Sequence, residues 1–124
     1  MINYRSDRKG KKCVIWTRVS TKYQEENGGS LDYQKTLCEK FAKREGLTIA
    51  DVGEHHGYFG GSHESAKTPG KMIKQMISIV KKDVSIRYVL VSEFDRFSRS
   101  NGQAITILEE LRSLGVIAKS AKTG

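Results

Sequence analysis

Apolar residues occur along this chain in two alternating patterns. Short continuous runs at 13–16, 88–91 and 116–118 predict strands, and the stretch 47–52 also suits a strand. Between these runs, apolar residues recur at intervals of three and four, which is the spacing of a helix with one buried face. Strands that alternate with helices predict an α/β fold of three layers, in which a mainly parallel central sheet is flanked by helices.

Capping residues mark the ends of the first two predicted helices. The first helix begins after Ser30, a good N-cap, and ends at Gly46, a residue type favoured just past a helix. The second begins at Thr68 and Pro69, an N-cap followed by proline at the first helical position, and runs to about Lys82. Its buried stripe comprises Met72, Ile73, Met76, Ile77 and Val80.

The remaining elements are a third helix and two polar connections. The third helix ends at Gly115 and carries a stripe of Ile105, Leu108, Leu111 and Leu114. The first strand ends in polar Thr17 and Arg18 and feeds a loop that reaches Gly29. Residues 53–67 contain four glycines and all three histidines, which is too long and too polar for a tight turn, so we expect a mobile loop there.

Composition is that of a small soluble domain. The 124 residues suit one core, and no apolar run approaches the roughly 18 residues that a membrane span needs. No apolar segment follows the N-terminus, so we expect a cytoplasmic protein. Cys13 and Cys38 lie in apolar surroundings without metal or redox spacing, and we expect two buried thiols without a disulfide.

The net charge of +8 suggests a nucleic-acid partner, but it is unevenly distributed. Residues 1–12 hold five basic residues and one acidic residue, giving +4, so the rest of the chain carries the other +4. We expect 1–12 to be a basic flexible arm, which either contacts nucleic acid or acts as a solvated tail. Residues 13–124 form the predicted domain.

Polar and charged residues follow two of the predicted strands. Arg18 and Ser20 come just after the first, and Asp95, Arg96 and Arg99 come just after the run at 88–91. Ligands of open α/β sheets bind beyond the carboxyl ends of strands, so we expect both groups at one edge. There a hydroxyl would face guanidinium groups, which match a phosphate better than a carbonyl or a sugar. The pattern favours phosphoryl transfer.

Each of these residues also has a purely structural alternative. Ser20 alone would be a turn or capping residue. Arg96 and Arg99 would be solvated side chains, although positions i and i+3 of a helical turn share a face and could reach one phosphate. Asp95 would cap a helix or hold an arginine.

Gln34 shares the face of the first helix that carries Leu31, Cys38 and Phe41, so its side chain should point into the core. A buried amide needs hydrogen-bond partners. The partner is either the backbone beside the first strand, in a structural role, or a catalytic arginine or serine that the amide orients.

Three motifs occur in order on these elements: Trp16-Thr17-Arg18-Val19-Ser20-Thr21, Ser30-Leu31-Asp32-Tyr33-Gln34 and Asp95-Arg96-Phe97-Ser98-Arg99. Together they resemble the signature of the serine site-specific recombinase family. The resemblance covers the chain from about Cys13 onward and implies a resolvase-like N-terminal catalytic domain. The long segment between Thr21 and Ser30 is more similar to the large serine recombinases than to small resolvases and DNA invertases.

The resemblance implies that Ser20 attacks the scissile phosphate of DNA. The products would be a 5′-phosphoserine link and a free 3′ hydroxyl, and the strands would then be exchanged and rejoined with no cofactor and no metal. The groups that would hold the phosphate or support its ligands are Arg18, Arg96, Arg99, Asp95 and Gln34.

Two positions depart from the family pattern. Trp16 stands where tyrosine is usual, a change that keeps an aromatic side chain. The family also places an arginine before the second helix, where this chain reads Lys67-Thr68-Pro69-Gly70-Lys71. Lys71, or else Lys67, is the candidate replacement, and a lysine supplies charge without the planar fork of a guanidinium.

The resemblance also implies partners. The substrate would be a double-stranded DNA recombination site, bound by homodimers that assemble into a tetrameric synapse on a mobile element. Integration, excision, inversion and transposition all remain open as the biological role. We expect the helix that makes the main subunit contact, and a separate DNA-binding region, to lie beyond this segment.

Three other functions remain open on the sequence alone. A flavodoxin-like phosphotransferase would use Ser20 or Cys13, although no glycine-rich phosphate loop follows Cys13. An inactive regulatory or dimerisation module on DNA would fit the missing loop arginine. A metal site, whose spacing matches no tight ligand motif, would use His55, His56, His63, Glu54 and Asp51.

Overall fold

A computed structural model describes residues 10–18, 31–61, 69–93 and 101–122. The strands are β1 (Lys12–Arg18), β2 (Thr48–Ile49), β3 (Tyr58–Gly61), β4 (Ile86–Val91) and β5 (Ile117–Ser120). The helices are α1 (Leu31–Glu45), α2 (Pro69–Lys82) and α3 (Asn101–Ser113). None of the described helices is long and apolar enough to cross a membrane. Most of the predicted basic arm, residues 1–9, lies outside the described residues, and Lys12 already belongs to β1.

The strands form one sheet in which every pairing is parallel. β1 and β4 lie at its centre, β5 lies beside β4, and β2 and β3 both lie beside β1 on its other side. α1 packs against one face of the sheet, and α2 and α3 pack against the other. The predicted three-layer α/β fold is therefore confirmed.

β2 and β3 occupy one edge position beside β1, with a break between them. The Ala50 N–H donates to the Cys13 carbonyl at 2.8 Å, and the Ile15 N–H donates to the Gly57 carbonyl at 2.9 Å. These bonds continue one ladder from β2 to β3. The chain therefore leaves the sheet after Ala50 and rejoins it at Gly57, and residues 51–56 form an excursion outside the ladder.

Two predictions were wrong at this edge. The strand predicted over 47–52 is reduced to β2, and β3 lies within the segment 53–67 that was predicted to be a mobile loop. The sequence of β3 has two aromatic residues and two glycines, which is too little for a strand pattern. Gly60 has a φ of 100°, and a Cβ there would lie 1.6 Å from the Thr17 carbonyl oxygen. A glycine is thus required for β3 to approach β1, and the strand exists because of that tertiary contact.

Helix ends agree with the sequence. After α1, the Leu47 N–H donates to the Ala42 carbonyl at 2.8 Å and the Gly46 N–H donates to the Lys43 carbonyl at 3.3 Å. This pair of bonds is a Schellman motif, and Gly46 has the left-handed φ of 71° that the motif needs. The same two bonds follow α3 at Gly115. Both predicted glycine caps are confirmed.

Apolar side chains form one cluster on each face of the sheet. The larger cluster lies under α2 and α3 and includes Trp16 and Leu111, and the smaller lies under α1 and includes Phe41. The buried stripes predicted for α1 and α2 are confirmed except at their first members, Leu31 and Met72, which are half-buried. The stripe predicted for α3 was wrong at its first member, because Ile105 is 54% exposed whereas Ile107 is buried.

Candidate active site

Three strands end together at one edge of the sheet, which we call the carboxyl edge. β1 ends there at Arg18, β4 is followed by Ser92 and Glu93, and β5 is followed by Lys122. The Ala121 N–H donates to the Val91 carbonyl at 2.7 Å, so the chain stays in register just past β4 and β5. Of the predicted site residues, Arg18 at the end of β1 belongs to this edge.

The connections that follow β1 and β4 leave the carboxyl edge in opposite directions across the sheet. From β1 the chain crosses through α1, on one face, to β2 on the outer side of β1. From β4 it crosses through α3, on the opposite face, to β5 on the outer side of β4. Neighbouring strands whose connections diverge in this way open a crevice at their carboxyl ends, which is the usual ligand site of an open α/β sheet.

The structure describes the side chains of two predicted site residues, Arg18 and Gln34. Lys71 lies in the first turn of α2, and its side chain lies outside the described residues. Also outside the described residues are Ser20, Asp95, Arg96 and Arg99. Their convergence therefore stays a prediction, although the segments that contain them are those that follow β1 and β4 at the crevice.

Gln34 is fully buried and binds the backbone of Arg18 with both ends of its amide. The Arg18 N–H donates to Gln34 Oε1 at 3.0 Å, and Gln34 Nε2 donates to the Arg18 carbonyl at 3.0 Å. The backbone N–H and carbonyl groups of successive strand residues point to opposite sides of the strand. Those of Ile15 point toward β3, so those of Arg18, three residues later, point toward β4. The Gln34 amide thus takes the place of a ladder partner where β1 and β4 separate. Of the two roles predicted for Gln34, the contact seen is the one with the strand backbone.

Arg18 is held from its other side by β3. It pairs with Gly61, and one residue earlier the Thr17 hydroxyl donates to the Phe59 carbonyl at 3.4 Å. Arg18 is 7% exposed, and an arginine keeps its charge throughout the physiological pH range. Arg18 therefore brings a permanent positive charge to the carboxyl edge, and its backbone is fixed by β3 on one side and by Gln34 on the other.

Buried polar residues are concentrated at the carboxyl edge. Among the described residues, all the buried polar or charged ones belong to this edge, namely Thr17, Arg18, Gln34, Ser92 and Ser120. Buried polar groups are costly unless they are hydrogen-bonded, so their accumulation at one end of the sheet marks a place where polarity serves a purpose other than packing.

Sequence reasoning missed the polar residues nearest the ends of β4 and β5, namely Ser92, Glu93, Ser120 and Lys122. Lys122 forms an ion pair with Glu93, and its Nζ lies 5.8 Å from the centre of the Tyr33 ring. The Ser120 hydroxyl donates to the Ser92 carbonyl at 3.0 Å. Opposite charges at the same distance beyond two adjacent parallel strands were the available signal for the ion pair.

A separate cleft of about 540 Å³ lies between α1 and β3. It is bordered by Thr17, Lys35 and His55, among others. The Tyr58 hydroxyl donates to the Glu39 carboxylate across it, and burial together with this bond raises the pKa of Tyr58 to about 12. The cleft lies over β3 rather than between β1 and β4, so it is not the predicted phosphate site.

The proposed histidine metal site gains no support from the described residues. His56 pairs with Asp51 in the excursion, where both side chains are mostly exposed. No group of three potential metal ligands occurs among the residues that the structure describes, and His63 lies outside them. The described part of the excursion is a solvated turn.

The two thiols are structural. Cys13 and Cys38 are both completely buried in the cluster under α1, and neither is in a disulfide. Burial raises the pKa of Cys13 to about 11 and that of Cys38 to about 12. A thiol that is neutral and inaccessible at physiological pH is a poor nucleophile, which contradicts a phosphotransferase that uses Cys13.

Comparison with known proteins agrees with this topology. Among solved structures, the N-terminal catalytic domain of TP901-1 integrase is similar with a TM-score of 0.70 and 23% identity, over 91% of this chain and 79% of that one. The C-terminal catalytic domain of ISC1926 TnpA, an IS607-like serine recombinase, is similar with a TM-score of 0.59 and 19% identity, over 88% of this chain and 68% of that one. At these identities the likeness shows a shared fold. No curated protein matched the chain.

Family comparison extends the likeness from fold to sequence. The resolvase N-terminal domain family matches residues 13–124, which is nearly the whole chain and the range predicted for the domain. The three motifs that resemble a serine recombinase all lie within that range. The chain therefore belongs to the resolvase family, as a resolvase N-terminal domain.

Proposed function

We propose that this domain cuts and rejoins DNA at specific sites, with Ser20 as the nucleophile. The observation that carries the proposal is the crevice between β1 and β4. The segment after β1 contains Ser20 and the segment after β4 contains Asp95, Arg96 and Arg99. Family membership supports a recombinase, and the crevice supplies the place where its groups can meet.

The reaction balances without an external energy source. The Ser20 oxygen forms a bond to the scissile phosphorus and loses its proton, while the bond from phosphorus to the 3′ oxygen breaks and that oxygen gains a proton. The phosphoserine ester conserves the energy of the broken phosphodiester. Attack by a 3′ hydroxyl of the exchanged strand reverses the step, reforms the DNA backbone and returns the proton to Ser20.

Positive charge supplies the main catalytic effect in this proposal. Arg18, Arg96 and Arg99 bind the phosphate oxygens and offset the charge that develops on them during attack. Arg18 is well suited to this task because β3 and Gln34 fix its backbone, so little reorganisation is needed on binding. Each preorganised donor of this kind contributes about 3–4 kcal/mol to the stabilisation of the transition state.

The remaining candidates have supporting roles. Gln34 acts through the backbone of Arg18, and Asp95 holds an arginine in its proper orientation. Lys71 supplies the charge that the family obtains from an arginine before α2. α2 follows β3, and a helix that follows a parallel strand begins at the carboxyl edge, so the position of Lys71 in the chain suits this role.

The partner in this proposal is a double-stranded DNA recombination site. Two dimers assemble into a tetramer that holds two such sites, and the protein works in the cytoplasm on DNA. The net charge of +8 favours association with a polyanion.

Covalent capture tests the proposal on DNA of unselected sequence. The full protein that carries this domain is incubated with fragments of its source genome and denatured, and the DNA that remains attached to protein is sequenced. We expect attachment at the 5′ ends of one or a few sequences, and none with Ser20→Ala. Equal attachment by wild type and Ser20→Ala, or none by either, would overturn the proposal. Ser98→Ala removes a hydroxyl from the motif after β4 and serves as the matched control.

A further inference from the structure

Ser92 stands apart from the other buried polar residues of the carboxyl edge. It is 2% exposed, and its hydroxyl has no hydrogen-bond partner among the described residues. The Thr17 hydroxyl, the Gln34 amide and the Ser120 hydroxyl each have one. The carbonyl of Ser92 is also used, since it accepts from the Ser120 hydroxyl at 3.0 Å.

Folding of the free domain does not explain a serine at this position. A buried hydroxyl that makes no hydrogen bond loses its contact with water and gains nothing in return. An alanine would fill almost the same space without that cost. The side chain therefore opposes stability, which is a property of groups that are retained for binding or catalysis.

The position of Ser92 connects it to the crevice. Ile15 of β1 is level with Leu90 of β4, so Ser92, two residues further along β4, is level with Thr17. Ile15 and Leu90 both belong to the cluster under α1, and side chains two residues apart point to the same face, so the Ser92 hydroxyl also points to the α1 face. The same face carries Gln34, which clamps the end of β1.

We propose that Ser92 is a positioning residue for the DNA cleavage proposed above, and this inference rests on that function. Its hydroxyl becomes hydrogen-bonded when a phosphodiester occupies the crevice, and it acts through the end of β1, which carries Arg18. In the free domain this hydroxyl makes no hydrogen bond to the part of the chain that the structure describes. The bond contributes to the geometry of attack rather than to the affinity for DNA, because the hydroxyl is buried beneath the edge.

Three variants of the full protein test this role. Ser92→Ala removes the hydroxyl, Ser92→Thr keeps it, and Ser120→Ala removes a neighbouring buried hydroxyl that is already bonded. Each is measured for the melting temperature of the free protein, the dissociation constant for the captured DNA site and the rate of covalent attachment at saturating DNA.

We expect Ser92→Ala to preserve or raise the stability of the free protein while it slows covalent attachment to DNA. Its melting temperature should equal or exceed that of the wild type, its dissociation constant should be unchanged, and its rate of attachment should fall by roughly fivefold to tenfold, the loss of one hydrogen bond. Ser92→Thr should recover most of that rate. Ser120→Ala should lower the melting temperature, because it removes a bond that the free protein makes.

Two results would overturn the inference while leaving the proposed function intact. One is a Ser92→Ala variant that attaches to DNA at the wild-type rate. The other is a Ser92→Ala variant that melts below the wild type as Ser120→Ala does, which would mean that the hydroxyl is already bonded in the free protein. A wild-type protein that forms no Ser20-dependent attachment would overturn both proposals together.

Discussion

The two ends of β1 differ in what holds them. Cys13, Val14, Ile15 and Trp16 are completely buried among apolar side chains from both helical layers. Thr17 and Arg18 are almost as buried, yet they are held by hydrogen bonds to β3 and to Gln34. The first part of the strand is stabilised by apolar packing, which depends on side-chain volume. The second part is stabilised by hydrogen bonds, which depend on direction.

This difference separates stability from function within seven residues. Apolar packing tolerates any side chain of similar size and shape, so it fixes the strand without fixing a particular atom. A two-point hydrogen bond fixes both the position and the direction of a backbone segment, which is what a phosphate-binding arginine needs. The comparison predicts that substitutions in the apolar part change the free energy of unfolding, and that substitutions at the polar end change activity disproportionately.

The largest effect on stability is expected at Trp16. Trp16→Ala removes the largest fully buried side chain of the cluster under α2 and α3 and should lower the free energy of unfolding by about 3–5 kcal/mol. Urea unfolding measures it. Ile105→Ala is the control, because Ile105 is 54% exposed, and it should change stability by less than about 0.5 kcal/mol. Similar losses for the two variants would show that the cluster is not the source of stability.

A smaller loss of stability with a larger loss of activity is expected at Gln34. Gln34→Leu keeps the volume but leaves the Arg18 N–H and carbonyl without their partner, which should cost about 1–3 kcal/mol. Displacement of Arg18 should slow covalent attachment to DNA by more than tenfold, since such donors contribute about 3–4 kcal/mol to catalysis.

Gln34→Glu sharpens this experiment. The carboxylate can accept from the Arg18 N–H but cannot donate to the Arg18 carbonyl, so an intermediate rate is expected. Lys40→Ala, at an exposed position of the same helix, is the control for general damage to α1. A Gln34→Leu variant with wild-type activity would remove the distinction between the two ends of β1.

The smallest effect concerns the thiols of the apolar part and is visible only in alkaline solution. Burial raises the pKa of Cys13 to about 11 and that of Cys38 to about 12 in the folded protein, above the 9.0 of an exposed thiol. Above about pH 9 the unfolded thiols lose protons that the folded ones keep, so stability should fall as the pH rises from 9 toward 11. Cys13→Ala combined with Cys38→Ala should reduce this slope, and an unchanged slope would contradict the assignment.

Much of the fold follows from periodicity and capping. The helical stripes, the two glycine caps and the apolar runs of β1, β4 and β5 all have local causes, so the sequence predicts them. β3 has no local cause. Its four residues become a strand because Gly60 can lie against Thr17, a contact between positions far apart in the chain. Ile105 was misassigned because its spacing suits the stripe, whereas the face that α3 turns to the core there is the face of Ile107.

The site was predictable where chain order alone determines position. Arg18 could be assigned to the carboxyl edge because it ends a strand, and Gln34 could be assigned to the core because of its helical face. Which of the two possible partners the Gln34 amide binds could not be predicted, since the choice depends on the separation of β1 from β4. Ser92 gave no sequence signal, because an unpartnered hydroxyl is defined by what surrounds it. The roles of Ser20, Asp95, Arg96, Arg99 and Lys71 stay predictions.

The excursion at 51–56 has a consequence for how this domain can vary in length. Ala50 and Gly57 bond to Cys13 and Ile15, two residues apart on β1, so the chain departs from and returns to almost the same point of the sheet. The entropy of closing such a loop grows slowly, by about 0.6 kcal/mol for each doubling of its length. Residues inserted at the tip of the excursion should therefore cost little stability and leave the register of the sheet unchanged.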